Sequence, residues 1–425
     1  AKLNHPTGVA ATADGGLLIA DADNEVVRRV SPAGTITTVA GTLTVSGSTG
    51  DGGPATAAKL FTPEGVAATA DGGFLIADAD NNAIRRVSPA GTITTVAGTL
   101  TAPGSTGDGG PATAAKLNFP AGVAATADGG FLIADQNNHA IRRVSPAGTI
   151  TTVAGTLTVS GPTGDGGPAT AATLNFPTGV AATADGGYLI ADTNNHAIRR
   201  VSPAGTITTV AGTLTTPGST GDGGPATAAK LYGPAGVAAT ADGGYLIADT
   251  GNHAIRRVSP AGRITTVAGT LTTSGSTGDG GPATAAKLNL PVGVAATADG
   301  GFLIADTDLR PGPSGPQGPR GGQGPRGPRG PQGPPGRNAK VTCKVKKSKG
   351  AKKVKVTCKV VLVKKTSQAR IHWRLLRRGH AVAHGVARAK HGRVQLRLSH
   401  LGHLRRGRYT LRIAGRRAGT TIVIR

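Results

Sequence analysis

The chain has 425 residues and a mass of 41.9 kDa, and its 68 glycines and 28 prolines supply about a quarter of it, where ordinary usage is nearer an eighth. Aromatic residues make up 3 % and charged residues 16 %, which argues against a conventional large enzyme built on Phe, Tyr and Trp. The net charge of +25 is divided: the 22 acids and 16 of the basic residues lie at or before Asp308, a net −6, while residues 309–425 carry the other 31 Lys and Arg and no acid.

In chain order the first feature is a repeat. The string GVAATADGG begins at Gly8, Gly65, Gly122, Gly179, Gly236 and Gly293, a period of 57 residues at every step. Within a unit, Asp-Gly-Gly, Asn-Asn-His and Ser-Pro-Ala-Gly separate four short apolar runs, GVAAT, FLIAD, AIRRV and TITTVAG. Asx and Gly supply the backbone geometry of tight hairpins, so each unit reads as four antiparallel strands. Four strands per unit, repeated about six times, is the pattern of β-propeller blades; a solenoid is the runner-up, but closure into a ring disposes of exposed edges better. Five units are complete and the sixth stops near Asp308, lacking its last two strands. Ala1-Lys2 matches the end of an inter-unit link, and the expectation is that upstream sequence supplies the missing strands. Met is absent, the first residue is Ala1 and no signal peptide is visible, which reads as a processed or truncated chain.

The runs ADQNNHAIRRV, ADTNNHAIRRV (Ala191–Val201) and ADTGNHAIRRV resemble the NHL repeat, named for an Asn-His-Leu core. This sequence has Asn-His-Ala there, and the first two units depart further, with Asn24-Glu25-Val26 and Asn82-Ala83-Ile84. The resemblance covers residues 1–308 and implies a six-bladed propeller whose sixth blade is incomplete in this chain.

Residues 309–339 form a spacer whose core, 312–336, has Gly at every third position. It looks collagen-like, because only Gly fits the axis of a triple helix. Two readings stand: a short trimerising stalk, or an extended polyproline-II spacer. Residues 340–425 hold seven alternating runs that fit a β-sandwich. Cys358, then Trp373, then Tyr409 two residues before Leu411, resemble the strand-B Cys, strand-C Trp and tyrosine corner of immunoglobulin-like domains, with Leu411 where the second Cys would stand. The only cysteines, Cys343 and Cys358, sit on two strands joined by a Lys-rich turn, and a disulfide between them is expected; two reduced buried thiols are the alternative. Two cysteines cannot make a four-ligand zinc site.

Candidate functional residues follow from the repeat. The GDGG aspartates Asp51, Asp108, Asp165, Asp222 and Asp279, with the turn residues Asn138, His139, Asn195, His196, Asn252 and His253, are expected on one face, where the second-to-third turns and the inter-unit links emerge together. They are ligand-face candidates, weighed against service as connectors. The strand-ending Asp21, Asp78, Asp135, Asp192, Asp249 and Asp306 read as caps of the following turn rather than calcium ligands, since oxygen sites need six or more converging donors. Some propellers of this superfamily are lyases holding a metal by axial histidines. The residues expected at the mouth here, Thr7, Glu64, Ala121, Thr178, Ala235 and Val292, include no His, so the expectation is a non-enzymatic protein with no cofactor and no metal.

The C-terminal region carries 26 Lys and Arg, with Lys346, Lys347, Lys349, Lys352, Lys353, Arg405, Arg406, Arg408, Arg416 and Arg417 in its densest stretches. These are candidates for binding anionic cell-wall polymer by electrostatics; nucleic acid is the competing partner, without the aromatic platforms of single-strand recognition. The modules together predict a secreted or cell-surface scaffold or adhesion protein, with a protein or glycan ligand on the propeller face. No run of about 18 apolar residues could cross a membrane as a helix.

Overall fold

The 57-residue period becomes a ring of small sheets. A computed structural model describes residues 1–307 in full and, beyond them, the backbone of seven strands within residues 339–424. The chain divides into two compact units, Ala1–Pro316 and Gln317–Arg425.

In the first unit each complete repeat is one four-stranded antiparallel meander. Blade one comprises β1 (Pro6–Ala11), β2 (Leu17–Asp21), β3 (Val26–Val30) and β4 (Ile36–Ala40). Blade two has β5 (Pro63–Ala68), β6 (Phe74–Asp78), β7 (Ala83–Val87) and β8 (Ile93–Ala97). Blade three has β9 (Pro120–Ala125), β10 (Phe131–Asp135), β11 (Ala140–Val144) and β12 (Ile150–Ala154). Blade four has β13 (Pro177–Ala182), β14 (Tyr188–Asp192), β15 (Ala197–Val201) and β16 (Ile207–Ala211). Blade five has β17 (Gly236–Ala239), β18 (Tyr245–Asp249), β19 (Ala254–Val258) and β20 (Ile264–Ala268). The sixth position holds only a hairpin, β21 (Pro291–Ala296) with β22 (Phe302–Asp306). The described residues therefore form an all-β propeller with five complete blades rather than six, because repeat six ends before its third and fourth strands. No α-helix occurs among them; the connectors contain only 3-10 turns.

The first strands line the centre, each beside the next, and β21 lies against β1 so that the ring returns on itself. Glycine makes this approach possible. A Cβ on Gly179 would stand 2.5 Å from the Ala235 carbonyl oxygen, and one on Gly293 would stand 2.4 Å from that of Thr7. Neighbouring inner strands thus meet backbone to backbone, which leaves no room for a side chain.

Between blades the core is made of small aliphatic residues. Leu18, Ala20, Val27 and Ala40 of blade one meet Val66, Phe74, Ile76, Val87 and Ile93 of blade two, with Ala55, Ala58 and Leu60 of the link wedged among them. The same set recurs at the next three boundaries. Sheets pack about 10 Å apart, and a wedge of alanines fills the widening gap that larger aromatics fill in other folds. The low aromatic content follows from this geometry.

In the second unit β23 (Ala339–Lys347), β24 (Val354–Leu362) and β27 (Arg393–Arg397) form one antiparallel sheet in the order β23-β24-β27. The other sheet has the order β26-β25-β28-β29, from β25 (Arg370–Arg377), β26 (His380–Arg388), β28 (Gly407–Ile413) and β29 (Thr420–Ile424). Cys343 and Cys358 are direct partners across β23 and β24. The Gly-X-Y run of residues 312–336 lies outside the described residues.

Candidate functional site

The residues singled out by the repeat converge, but on one another. In blade two the Asp78 side chain is completely buried. Its Oδ1 accepts the Phe61 backbone N–H at 2.7 Å, and its Oδ2 accepts Asn81 Nδ2 at 2.9 Å and Arg85 Nη1 at 3.2 Å. Arg85, also fully buried, reaches the link carboxylate of Asp51 at 2.6 Å, and Asn81 donates to the Gly47 carbonyl at 2.7 Å. The network recurs as Asp135–Asn138–Arg142–Asp108, Asp192–Asn195–Arg199–Asp165 and Asp249–Asn252–Arg256–Asp222. The strand-ending aspartates therefore do not cap the turn that follows them. They grip the segment leading into their own blade, 17 residues earlier in sequence, because the first strand enters beside the second strand's end.

Burial pushes the carboxyls of Asp78, Asp135, Asp192 and Asp249 up to about 6, against the hydrogen bonds and the arginine that favour the charged form. For Asp51, partial burial acts upward, but the Thr95 hydrogen bonds and the Arg85 charge outweigh it and hold the group below the usual carboxylate range. The link aspartates Asp51, Asp108, Asp165 and Asp222 are thus about 40 % exposed at the side chain, yet each is spent on a buried arginine.

The histidines have an internal role too. His139 sits in the left-handed region at φ 56°, and its Nδ1 accepts the Phe176 backbone N–H of the following link at 3.1 Å. His196 and His253 accept the N–H of Gly233 and Leu290 in the same way. Asn82 Oδ1 and Glu25 Oε2 take this part in the first two blades. An acceptor imidazole must be neutral at Nδ1, and desolvation lowers the pKa of His139 and His196 accordingly. The rings also pack edge-on against the next blade, His139 on Phe176 at 4.9 Å and His196 on Tyr232 at 5.7 Å.

These turns and the link ends share one face of the ring. The Asp80 N–H bonds the Phe61 carbonyl, the Gly251 N–H that of Tyr232, and the Thr101 N–H that of Asn81. Here the repeats differ from one another. The strands AIRRV and the turns ADGG and SPAG are constant through blades two to five, whereas the positions entering each first strand read His5, Thr62, Phe119, Phe176, Gly233 and Leu290, all at φ between 51° and 57°. Five bulky or β-branched residues in the left-handed region on one face were not foreseen from the sequence; the signal was the position just before Pro in each link. Phe61 and Tyr232, one residue earlier, are exposed on the same face. Glu64, two residues after Thr62, has its carboxyl raised to about 7 by desolvation against a hydrogen bond from Thr7.

Among the described residues, no group of three or more His, Cys, Asp or Glu side chains converges as a metal site. Of the basic candidates, Lys346 and Lys347 fall on β23 and Arg408 on β28, while Lys349, Lys352, Lys353, Arg405, Arg406, Arg416 and Arg417 lie outside the described residues.

Residues 117–143, 174–200 and 231–258 match the NHL repeat, so the chain contains NHL repeats carried on a β-propeller. Over 232 residues it is 30 % identical to teneurin-1 of Mus musculus, a stretch that is 49 % of this chain and 8 % of teneurin-1. Among solved structures, a structural-genomics protein of unknown function from Bacteroides thetaiotaomicron is 19 % identical with a TM-score of 0.53, over 72 % of this chain and 68 % of that one. An auxiliary nutrient binding protein from the same organism is 16 % identical with a TM-score of 0.52, over 72 % and 67 %. A virginiamycin B lyase from Staphylococcus aureus is 17 % identical with a TM-score of 0.45, over 71 % and 78 %. At these identities the likeness to solved structures is one of fold alone.

Proposed function

We propose that this is a non-enzymatic, exported binding protein whose propeller face engages a protein or glycan ligand, while the basic C-terminal unit attaches it to anionic cell-surface polymer. One observation carries the first part: near-identical blades differ chiefly on the face bearing the left-handed entry residues, Phe61, Glu64 and Tyr232, and the polar groups that recur there are consumed by internal networks. A surface that varies over a constant scaffold suits recognition, whereas catalysis would need free, converging groups.

For the C-terminal unit, the division into three- and four-stranded sheets, with Cys358 on β24 and Tyr409 on β28 in different sheets, supports the immunoglobulin-like reading. The register that sets Cys343 opposite Cys358 supports the disulfide and, with it, an oxidising compartment. With no acid among residues 309–425, the cations there have no carboxylate side chain of their own unit to neutralise them, which favours an anionic polymer as partner.

The face is tested by the full chain and its Phe61→Ser, Glu64→Ala, Tyr232→Ser triple variant on glycan and cell-surface protein arrays. The expected outcome is a ligand bound by the parent and lost by the variant, with the β-sheet circular dichroism of the two alike. Ligands retained by the variant would place recognition elsewhere.

A further inference from the structure

Each link between blades is gripped at two consecutive backbone N–H groups just before its blade begins. The first, on Phe61, Asn118, Asn175, Tyr232 or Asn289, goes to the strand-end aspartate of the blade being entered. The second, on Thr62, Phe119, Phe176, Gly233 or Leu290, goes to the turn of the blade before, where the acceptor is Glu25, Asn82, His139, His196 or His253. This second bond is a latch between neighbouring blades. The residue that donates it is held at φ between 51° and 57° and stands directly before Pro, a place where residues other than glycine favour extended backbone.

The five latches differ in how they respond to a proton. Asn82 Oδ1 is an amide oxygen and accepts at any ordinary pH. Glu25, whose charged neighbours are Asp80 and Asp23, keeps an accepting oxygen after it is protonated. An imidazole accepts at Nδ1 only while neutral, and a proton there turns the acceptor into a donor aimed at another donor. His139, His196 and His253 are half-buried, so their rings are not sealed from solvent.

We propose that His139, His196 and His253 form an acid-operated release: protonation at Nδ1 frees the N–H groups of Phe176, Gly233 and Leu290, unlatches three successive blade junctions and lets the entry residues leave the left-handed region, while the first two junctions stay closed. The titratable groups around these imidazoles are Asp135, Asp192 and Asp249 at the start of the histidines' own turns, Asp192, Asp249 and Asp306 on the N–H preceding each latch, and Tyr232, whose ring packs on His196. Burial raises Asp135, Asp192 and Asp249 to about 6, so they take up protons over the same range, and each keeps an accepting oxygen when it does. Their effect on stability has the opposite sign. A raised carboxyl favours the folded state in acid, whereas an imidazole lowered by desolvation, as in His139 and His196, costs the folded state stability as pH falls below the ordinary value of 6.5. The release is therefore read at the latch amides themselves rather than from a melting curve. It is a property of the ring and holds whatever ligand the face takes.

The test is amide hydrogen exchange on the full chain, resolved by residue and corrected for intrinsic exchange, at pH 7.5 and pH 4.5. The expected result is a fall of about tenfold or more in protection at Phe176, Gly233 and Leu290, with Phe119, latched by Asn82, unchanged. A His139→Asn, His196→Asn, His253→Asn triple variant copies the latch that Asn82 already makes, so it should hold its protection at both pH values. Asn82→His in the parent chain should make the Phe119 amide acid-sensitive as well. Equal protection of Phe176 at the two pH values, a fall shared equally by Phe119, or a fall that persists in the triple variant would overturn the proposal. So would a Phe119 amide that stays indifferent to pH in Asn82→His.

Discussion

Arg142 shows what a single side chain does here. It is fully buried between Asp135, itself inaccessible, and Asp108, which reaches solvent, so one guanidinium joins the second strand of its blade to the incoming link. Removing one partner of such a pair strands the other charge in a low-dielectric interior, at a cost of about 3–5 kcal/mol. Arg143, the next residue, faces outward onto Asp128 and should matter by less than about 1 kcal/mol. Arg142→Ala is therefore expected to unfold far more readily than Arg143→Ala in urea. The sign of its pH dependence is also fixed. Asp135 already titrates high, at about 6, and losing the arginine raises it further. A carboxyl raised in the folded state contributes stability at low pH that is lost as pH rises through the folded value. The deficit of Arg142→Ala should be small at pH 5 and large at pH 8; a deficit independent of pH would mean that Asp135 is not the group left uncompensated.

At the scale of the element, the four strands per repeat were legible because Gly, Asn, Asp and Pro punctuate runs too short for helices, and FLIAD and AIRRV lie where β10 and β11 form. In the link, Pro111 leads into the 3-10 turn Ala112–Ala114, as a Pro at the start of a short helical turn does. What the links do was not legible. Asp108 and Arg142 are 34 residues apart, one in a link and one on β11, and only the ring brings them together. His139 looked like a turn residue open to ligand, yet its Nδ1 is committed to a backbone N–H 37 residues on, a pairing that only blade-to-blade packing creates. The number of whole blades was likewise settled by where the sixth repeat stops. The inner strands offer the sharpest element-level prediction. Gly179→Val places a branched side chain where even a Cβ would be 2.5 Å from the Ala235 oxygen, a backbone atom that cannot swing aside. Expected is a loss of several kcal/mol, seen as a large fall in melting temperature. A melting temperature near that of the parent would show that the inner ring is looser than its geometry.

For the whole molecule, charge is divided between the two regions of the sequence. The propeller is mildly acidic, and in blades two to five each buried arginine meets one buried and one link aspartate, with a second outer set such as Arg86 on Asp71. The C-terminal unit has cations in excess and, in its own sequence, no Asp or Glu to meet them. The attachment proposed for it is electrostatic, so it should weaken as salt screens it over distances of about 8–10 Å. The full chain should be titrated with sodium chloride while bound to immobilised polyglycerol phosphate, and in parallel to duplex DNA at matched phosphate density. The account predicts binding to the polyglycerol phosphate at least as tight as to DNA, falling steeply with salt. Binding to DNA tenfold or more tighter, or polymer binding indifferent to salt, would contradict it.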